Sequence, residues 1–96
     1  MSDVDKTDKE ILEDRQSRYG DPVLCFSAWG EMCRILDAYA ENSNQDPINE
    51  AHLSALKMVL LKTVRSVWSP DLEDNYKDGR NYLTIAERCS REKKLG

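Results

Sequence analysis

The sequence predicts an all-α fold, a single-domain bundle of about four helices whose long second and third helices run antiparallel. Three observations predict it. No segment alternates apolar and polar residues for long enough to make a strand. Apolar residues instead recur three and four apart, the spacing that places them on one face of a helix. Start and stop signals then divide this pattern into four segments. A chain of 96 residues is one domain, with residues 1–6 expected to be disordered and 92–96 a frayed tail.

The first helix is announced by Thr7-x-x-Glu10, a capping-box pattern, and should end at Gly20, the residue best suited to a left-handed C′ position. Asp21-Pro22 restarts the chain as cap and first helical residue, and the second helix runs to about Glu41. Its core stripe is Phe26, Trp29, Cys33, Leu36 and Ala40, widened by Cys25, Met32 and Tyr39. A polar loop follows. Asp46-Pro47 signals a third helix from Ile48 to about Trp68, the most apolar of the four, with Leu53, Leu56, Leu60, Val64 and Val67 as its core line. Ser69-Pro70 stops it, because the residue before a proline is pushed out of the α region. The fourth helix begins between Asp71 and Asp74 and passes through Gly79 in phase, where close helix approach would account for the glycine. The broad apolar faces of the second and third helices exceed what one antiparallel pair can cover, so a homo-oligomer is expected.

Composition narrows the function classes. Fourteen basic against eighteen acidic residues leave a net charge of −4, which argues against general binding to nucleic-acid backbones. The ends are uneven, acidic over residues 1–14 and basic in the tail, so they could attract between subunits or stay solvated. The polar, acidic N-terminus lacks the pattern of a secretory signal and no apolar run is long enough for a membrane span, so a cytosolic protein is expected. Three cysteines, Cys25, Cys33 and Cys89, are odd in number, lack C-x-x-C spacing and read as reduced, buried thiols. Phe26, Trp29 and Trp68 read as core. With His52 the only histidine and no glycine-rich phosphate loop, nothing points to a serine or cysteine nucleophile, to zinc, or to a strand-loop-helix nucleotide site.

Chemistry is left to helix faces. Lys62 and Arg65 stand at the polar edge of the third helix, and Asp74 and Asp78, with Tyr82 a turn beyond, lie one helical turn apart on the fourth. The two sets can meet as an inter-helix ion bridge or as a clamp on a phosphorylated ligand. Asp74 and Asp78, with Asp71 before them, could also hold Mg²⁺ through oxygen ligands, although acids in a first helical turn ordinarily serve the helix dipole. Arg15, Arg18 and Tyr19 gather two guanidinium groups and a phenol at the first turn, either as ligand contacts or as a helix corner.

Those residues carry a resemblance. Arg15 followed by Tyr19-Gly20-Asp21, then Lys62-x-x-Arg65, then Asp74-x-x-x-Asp78-x-x-x-Tyr82, is similar to the pattern of a family of short bacteriophage all-α proteins. More distantly the chain resembles phage nucleotide-modification-associated domains and all-α pyrophosphohydrolases of the MazG type, from which it departs by carrying Glu31-x-x-Arg34 and Lys62-x-x-Arg65 where those enzymes place acids. The resemblance implies phage origin, an all-helical fold and an association with nucleotides, and the expectation taken from it together with the residues is a phage accessory protein, in the host cytosol, that binds a nucleotide-like ligand without turnover, for instance as a sponge for a host defence signal. Lys62, Arg65, Arg18, Tyr19, Asp74, Asp78 and Tyr82 would be its ligand contacts, with no certain cofactor and Mg²⁺ at Asp74 and Asp78 the one candidate metal. A protein inhibitor of a host defence factor, working through an acidic surface, and an atypical Mg²⁺-dependent pyrophosphohydrolase are the alternatives.

Overall fold

The structure, a computed structural model, describes residues 7–45 and 47–92, the side chains of residues 14–19 excepted. The expected disorder of residues 1–6, most of the frayed tail and the attraction between the charged ends lie outside the described residues. Four helices and no strand occur among those described: α1 Asp8–Tyr19, α2 Pro22–Glu41, α3 Glu50–Trp68 and α4 Glu73–Arg91. The fold class is therefore all-α.

Local chemistry sets most boundaries where the sequence places them. The Glu10 N–H donates to Thr7 Oγ1 at 3.2 Å and the Thr7 N–H returns to Glu10 Oε1 at 3.4 Å, which closes the capping box. Gly20 ends α1 at φ +85°, and the Trp68 ring lies so close that an added Cβ would sit 2.6 Å from its Cδ2. Asp21 Oδ1 accepts from the Val23 N–H at 2.9 Å and starts α2 with Pro22 at its first position. The Tyr-Gly-Asp motif is thus, at its glycine and aspartate, a corner between helices clamped by the end of α3.

The start of α3 differs from expectation. It begins at Glu50, capped by Asn49, whose Oδ1 accepts from the His52 N–H at 3.0 Å; Asp46 lies outside the described residues. Asn49 prevails as cap because its amide does two jobs, since Nδ2 also donates to the Cys89 carbonyl, 2.9 Å away, at the far end of α4. At the opposite end of that helix pair, the Tyr76 hydroxyl donates to the Pro70 carbonyl at 2.7 Å and braces the turn. α4 starts at Glu73 without a side-chain cap and runs unbroken through Gly79.

α3 is central. It packs antiparallel along α4 over their full length and less closely against α2, also antiparallel, while α1 touches α2. Cys25, Leu53, Ala55, Leu61 and Ala86 are buried. Val67, expected in the core line, is exposed, and Leu61, outside that line, is buried. Two neighbours on different sides of α3 require two apolar lines instead of one. Phe26 and Trp68, read as core, are exposed, and Trp29 is half-buried with its ring 6.0 Å from Phe26, edge to face. All three cysteines are free thiols; Cys25 is buried and the other two are half-buried.

The α2–α3 seam is polar at its centre. Trp29 Nε1–H donates to the Lys57 carbonyl at 2.6 Å, and Lys57 Nζ pairs with Asp37 Oδ1 at 2.7 Å. The hydrogen bond to Asp37 raises the Lys57 pKa above its usual 10.5, and burial raises the Cys33 thiol above its usual 9.0. Both groups hold protons more tightly folded than unfolded, so their contribution is complete below about pH 9 and fades as the pH climbs through their folded values. Urea midpoints should fall between pH 8 and 11, and Asp37→Asn should flatten the fall above pH 10.5; a wild-type midpoint that rises over this range would contradict the assignment.

The molecule is long and thin, 49 × 24 × 24 Å, with a radius of gyration of 16.3 Å where a compact chain of this length has about 12.5 Å.

Candidate functional site

Lys62 leaves α3 toward α4, and its Nζ lies 3.1 Å from Asp78 Oδ2, with the lysine side chain 13% exposed. Gly79 allows the helices to come close here, yet a Cβ added to it would meet Lys62 Cβ at 3.6 Å, an ordinary contact. Helix approach alone therefore does not demand glycine.

The other expected site residues separate. Arg65 extends over Phe26, its guanidinium carbon 5.9 Å from the ring centroid, and so belongs to the α2–α3 seam. Asp74 is exposed in the first turn of α4 and Asp71 is exposed in the turn before it, both placed to favour the helix dipole. Tyr82 is half-buried. The side chains of Arg15, Arg18 and Tyr19 lie outside the described residues. The structure thus brings Lys62 and Asp78 together as an ion bridge. No group of three or more His, Cys, Asp or Glu able to hold a metal occurs among the described residues.

A groove of about 260 Å³ runs between α3 and α4 on residues that sequence reasoning mostly missed. Its lining includes Val59, Lys62, Thr63, Ser66, Asn75, Tyr76, Gly79, Arg80 and Leu83. Three of its hydroxyls already donate to carbonyls: Thr63 to Val59, Ser66 to Lys62 and Tyr76 to Pro70. Their oxygens remain able to accept. Asn75 is the exception, 2% exposed and with its buried Nδ2 lacking any protein acceptor. A buried amide without a partner costs about 1–3 kcal/mol, and native folds rarely leave one so. A signal for it exists in the sequence, since Asn75 is in phase with Gly79, Tyr82, Ala86 and Cys89 on the stripe of α4 that faces α3.

Among the described residues no helix is long and apolar enough to cross a membrane. No curated protein and no solved structure matches the chain. Residues 4–90 match the family model described as a domain of unknown function, DUF6378, and the chain belongs to that family.

Proposed function

We propose that this protein is a non-catalytic accessory factor of bacteriophage type that holds a small phosphorylated, nucleotide-like ligand in the α3–α4 groove. The carrying observation is the orphan amide of Asn75, a buried donor at the groove lining that has no acceptor within the protein. Gly79 adds weight. Mid-helix glycine costs roughly 0.5–1 kcal/mol relative to alanine, and here a methyl would fit against Lys62 but would take space from the groove. Two departures from stability at one groove mark a site, because local rules are broken chiefly where function requires it.

The lining suits that ligand class. Arg80 favours an anion, Lys62 being already paired with Asp78, the Asn75 amide suits a phosphoryl or carbonyl oxygen, and Val59, Tyr76 and Leu83 offer apolar surface to a planar ring. The volume falls below the ~300–1,000 Å³ of drug-sized pockets, which favours a mononucleotide over anything larger. Among the described residues the groove lining includes no carboxylate or imidazole, which supports binding without turnover. A role in sequestering a nucleotide signal of host defence fits such a binder.

The test is a thermal-shift panel of nucleoside mono-, di- and triphosphates and cyclic nucleotides, run on wild type and on Asn75→Leu. A true ligand at a hundred times its Kd stabilises the wild type by about 2.7 kcal/mol. Asn75→Leu removes the unpaired donor at similar volume, so the unliganded variant should be as stable as wild type or more so, and the ligand shift should vanish. A panel with no shift, or a shift that survives in the variant, overturns the reading and leaves Asn75 as a device that fixes helix register.

A further inference from the structure

The α3–α4 groove continues past the recess at Asn75. Arg80 and Leu83, which line that recess, also line a second one of about 580 Å³, whose walls include His52, Leu56, Thr84 and Glu87. The two lie on one side of the helix pair, because the lining positions keep a single phase on each helix: residues 52, 56, 59, 63 and 66 on α3, and 76, 80, 83 and 87 on α4. They are one trough. From His52 to Ser66 it runs roughly 21 Å along α3, at the helical rise of about 1.5 Å per residue.

Arg80 stands at the joint between the recesses. Lys62, the other cation of the trough, pairs with Asp78, whereas the Arg80 guanidinium makes no ion pair or side-chain hydrogen bond among the described residues. Apolar surface flanks it on both sides, Val59 and Tyr76 in the first recess and Leu56 in the second. Each half also holds a polar group suited to the edge of a base: the Asn75 amide, 2% exposed and without a protein acceptor, and the half-buried imidazole of His52. Glu87, the carboxylate of the second recess, is tied to Arg91 at 2.8 Å, which offsets its repulsion of an anion.

Resting on the nucleotide-type ligand proposed above, we infer that the two recesses are halves of one site and that its ligand is a dinucleotide, two nucleosides bridged by a phosphate that Arg80 holds. The recess at Asn75 alone suits a single nucleotide, in keeping with its volume, and such a ligand leaves Leu56 and His52 untouched. A dinucleotide covers both. Arginine suits the joint because its planar fork grips two phosphate oxygens at once. The second base removes further apolar surface from water at Leu56 and Leu83, and that contact is worth about tenfold in affinity.

Calorimetric titration of the full chain with dinucleoside monophosphates of adenine, guanine, cytosine and uracil, and with the matching mononucleotides, tests this. At least one dinucleotide should bind about tenfold more tightly than its own mononucleotide. Thr84→Trp, at an exposed position, fills the second recess and should bring that ratio down to about one with the helical circular-dichroism signal intact. Arg80→Gln should weaken the dinucleotide about tenfold or more. Mononucleotides that bind while no dinucleotide binds better, or a ratio that survives Thr84→Trp, overturn the two-part site and leave the single-nucleotide reading in place. No binding by any of these compounds overturns both.

Discussion

Gly20→Ala should cost about 2–4 kcal/mol and lower the thermal midpoint by roughly 10–25 °C. Two independent penalties meet at this residue. An L-residue in the left-handed region loses about 1–2 kcal/mol, and the new methyl would stand 2.6–2.9 Å from Cδ2, Cγ and Cε2 of Trp68. Those atoms belong to the rigid root of the indole, so the ring must be displaced as a unit. Overpacking of this kind costs about 1–3 kcal/mol. Gly30→Ala is the control, because a Cβ there meets nothing within 4 Å and the helix gains propensity, so that variant should be slightly more stable than wild type. Thermal unfolding followed by circular dichroism, with indole fluorescence as a local reporter, compares the two. A Gly20→Ala midpoint within a degree or two of wild type would show that Trp68 does not rest on the corner.

Trp29→Ala should be the most damaging single truncation, at about 3–5 kcal/mol. The indole is the main bridge from α2 to α3: it packs edge to face on Phe26 and donates to the Lys57 carbonyl. In a domain whose total stability is about 5–14 kcal/mol, that is a large fraction of the whole. Trp29→Phe divides the loss. It keeps most of the apolar contact and removes the donor, and because the Lys57 carbonyl lies inside α3 and keeps its helical partner, the cost should be about 1 kcal/mol. Urea titrations of the two variants give the split, and near-equal losses would mean that the hydrogen bond, not the packing, joins the helices.

Much of this was legible in the sequence where a short-range signal decides the structure. Thr7 with Glu10, Gly20, Asp21-Pro22 and Ser69-Pro70 each act within a turn of the chain, and each ends or begins a helix as expected. Asn49 was not legible as the cap of α3 because its advantage over the Asp46-Pro47 signal comes from a bond to Cys89, 40 residues away. Periodicity identified the apolar faces of α3 but not their division between two neighbours, hence the exposed Val67 and the buried Leu61. At the candidate site, spacing placed Lys62 and Asp78 within reach of each other, and they do pair. It could not distinguish Lys62 from Arg65 as the partner, because residues three apart on one edge diverge by about 60°, enough to aim one at α4 and the other at α2. Asn75 went unremarked because an asparagine within a run of charged residues looks like surface until the helix phase is followed to Ala86 and Cys89.

The clasp between Asn49 and the Cys89 carbonyl also bears on synthesis. The most extensive helix pairing in the molecule cannot close until the ribosome has translated past position 89, because the amide and its acceptor bracket the whole of α3 and α4. Until that moment α2 has α3 to pack against, but α3 lacks its larger neighbour. The α4-facing side of α3 therefore stays uncovered on the nascent chain until the hairpin closes, and yield in cells should depend on chaperones that shield such segments.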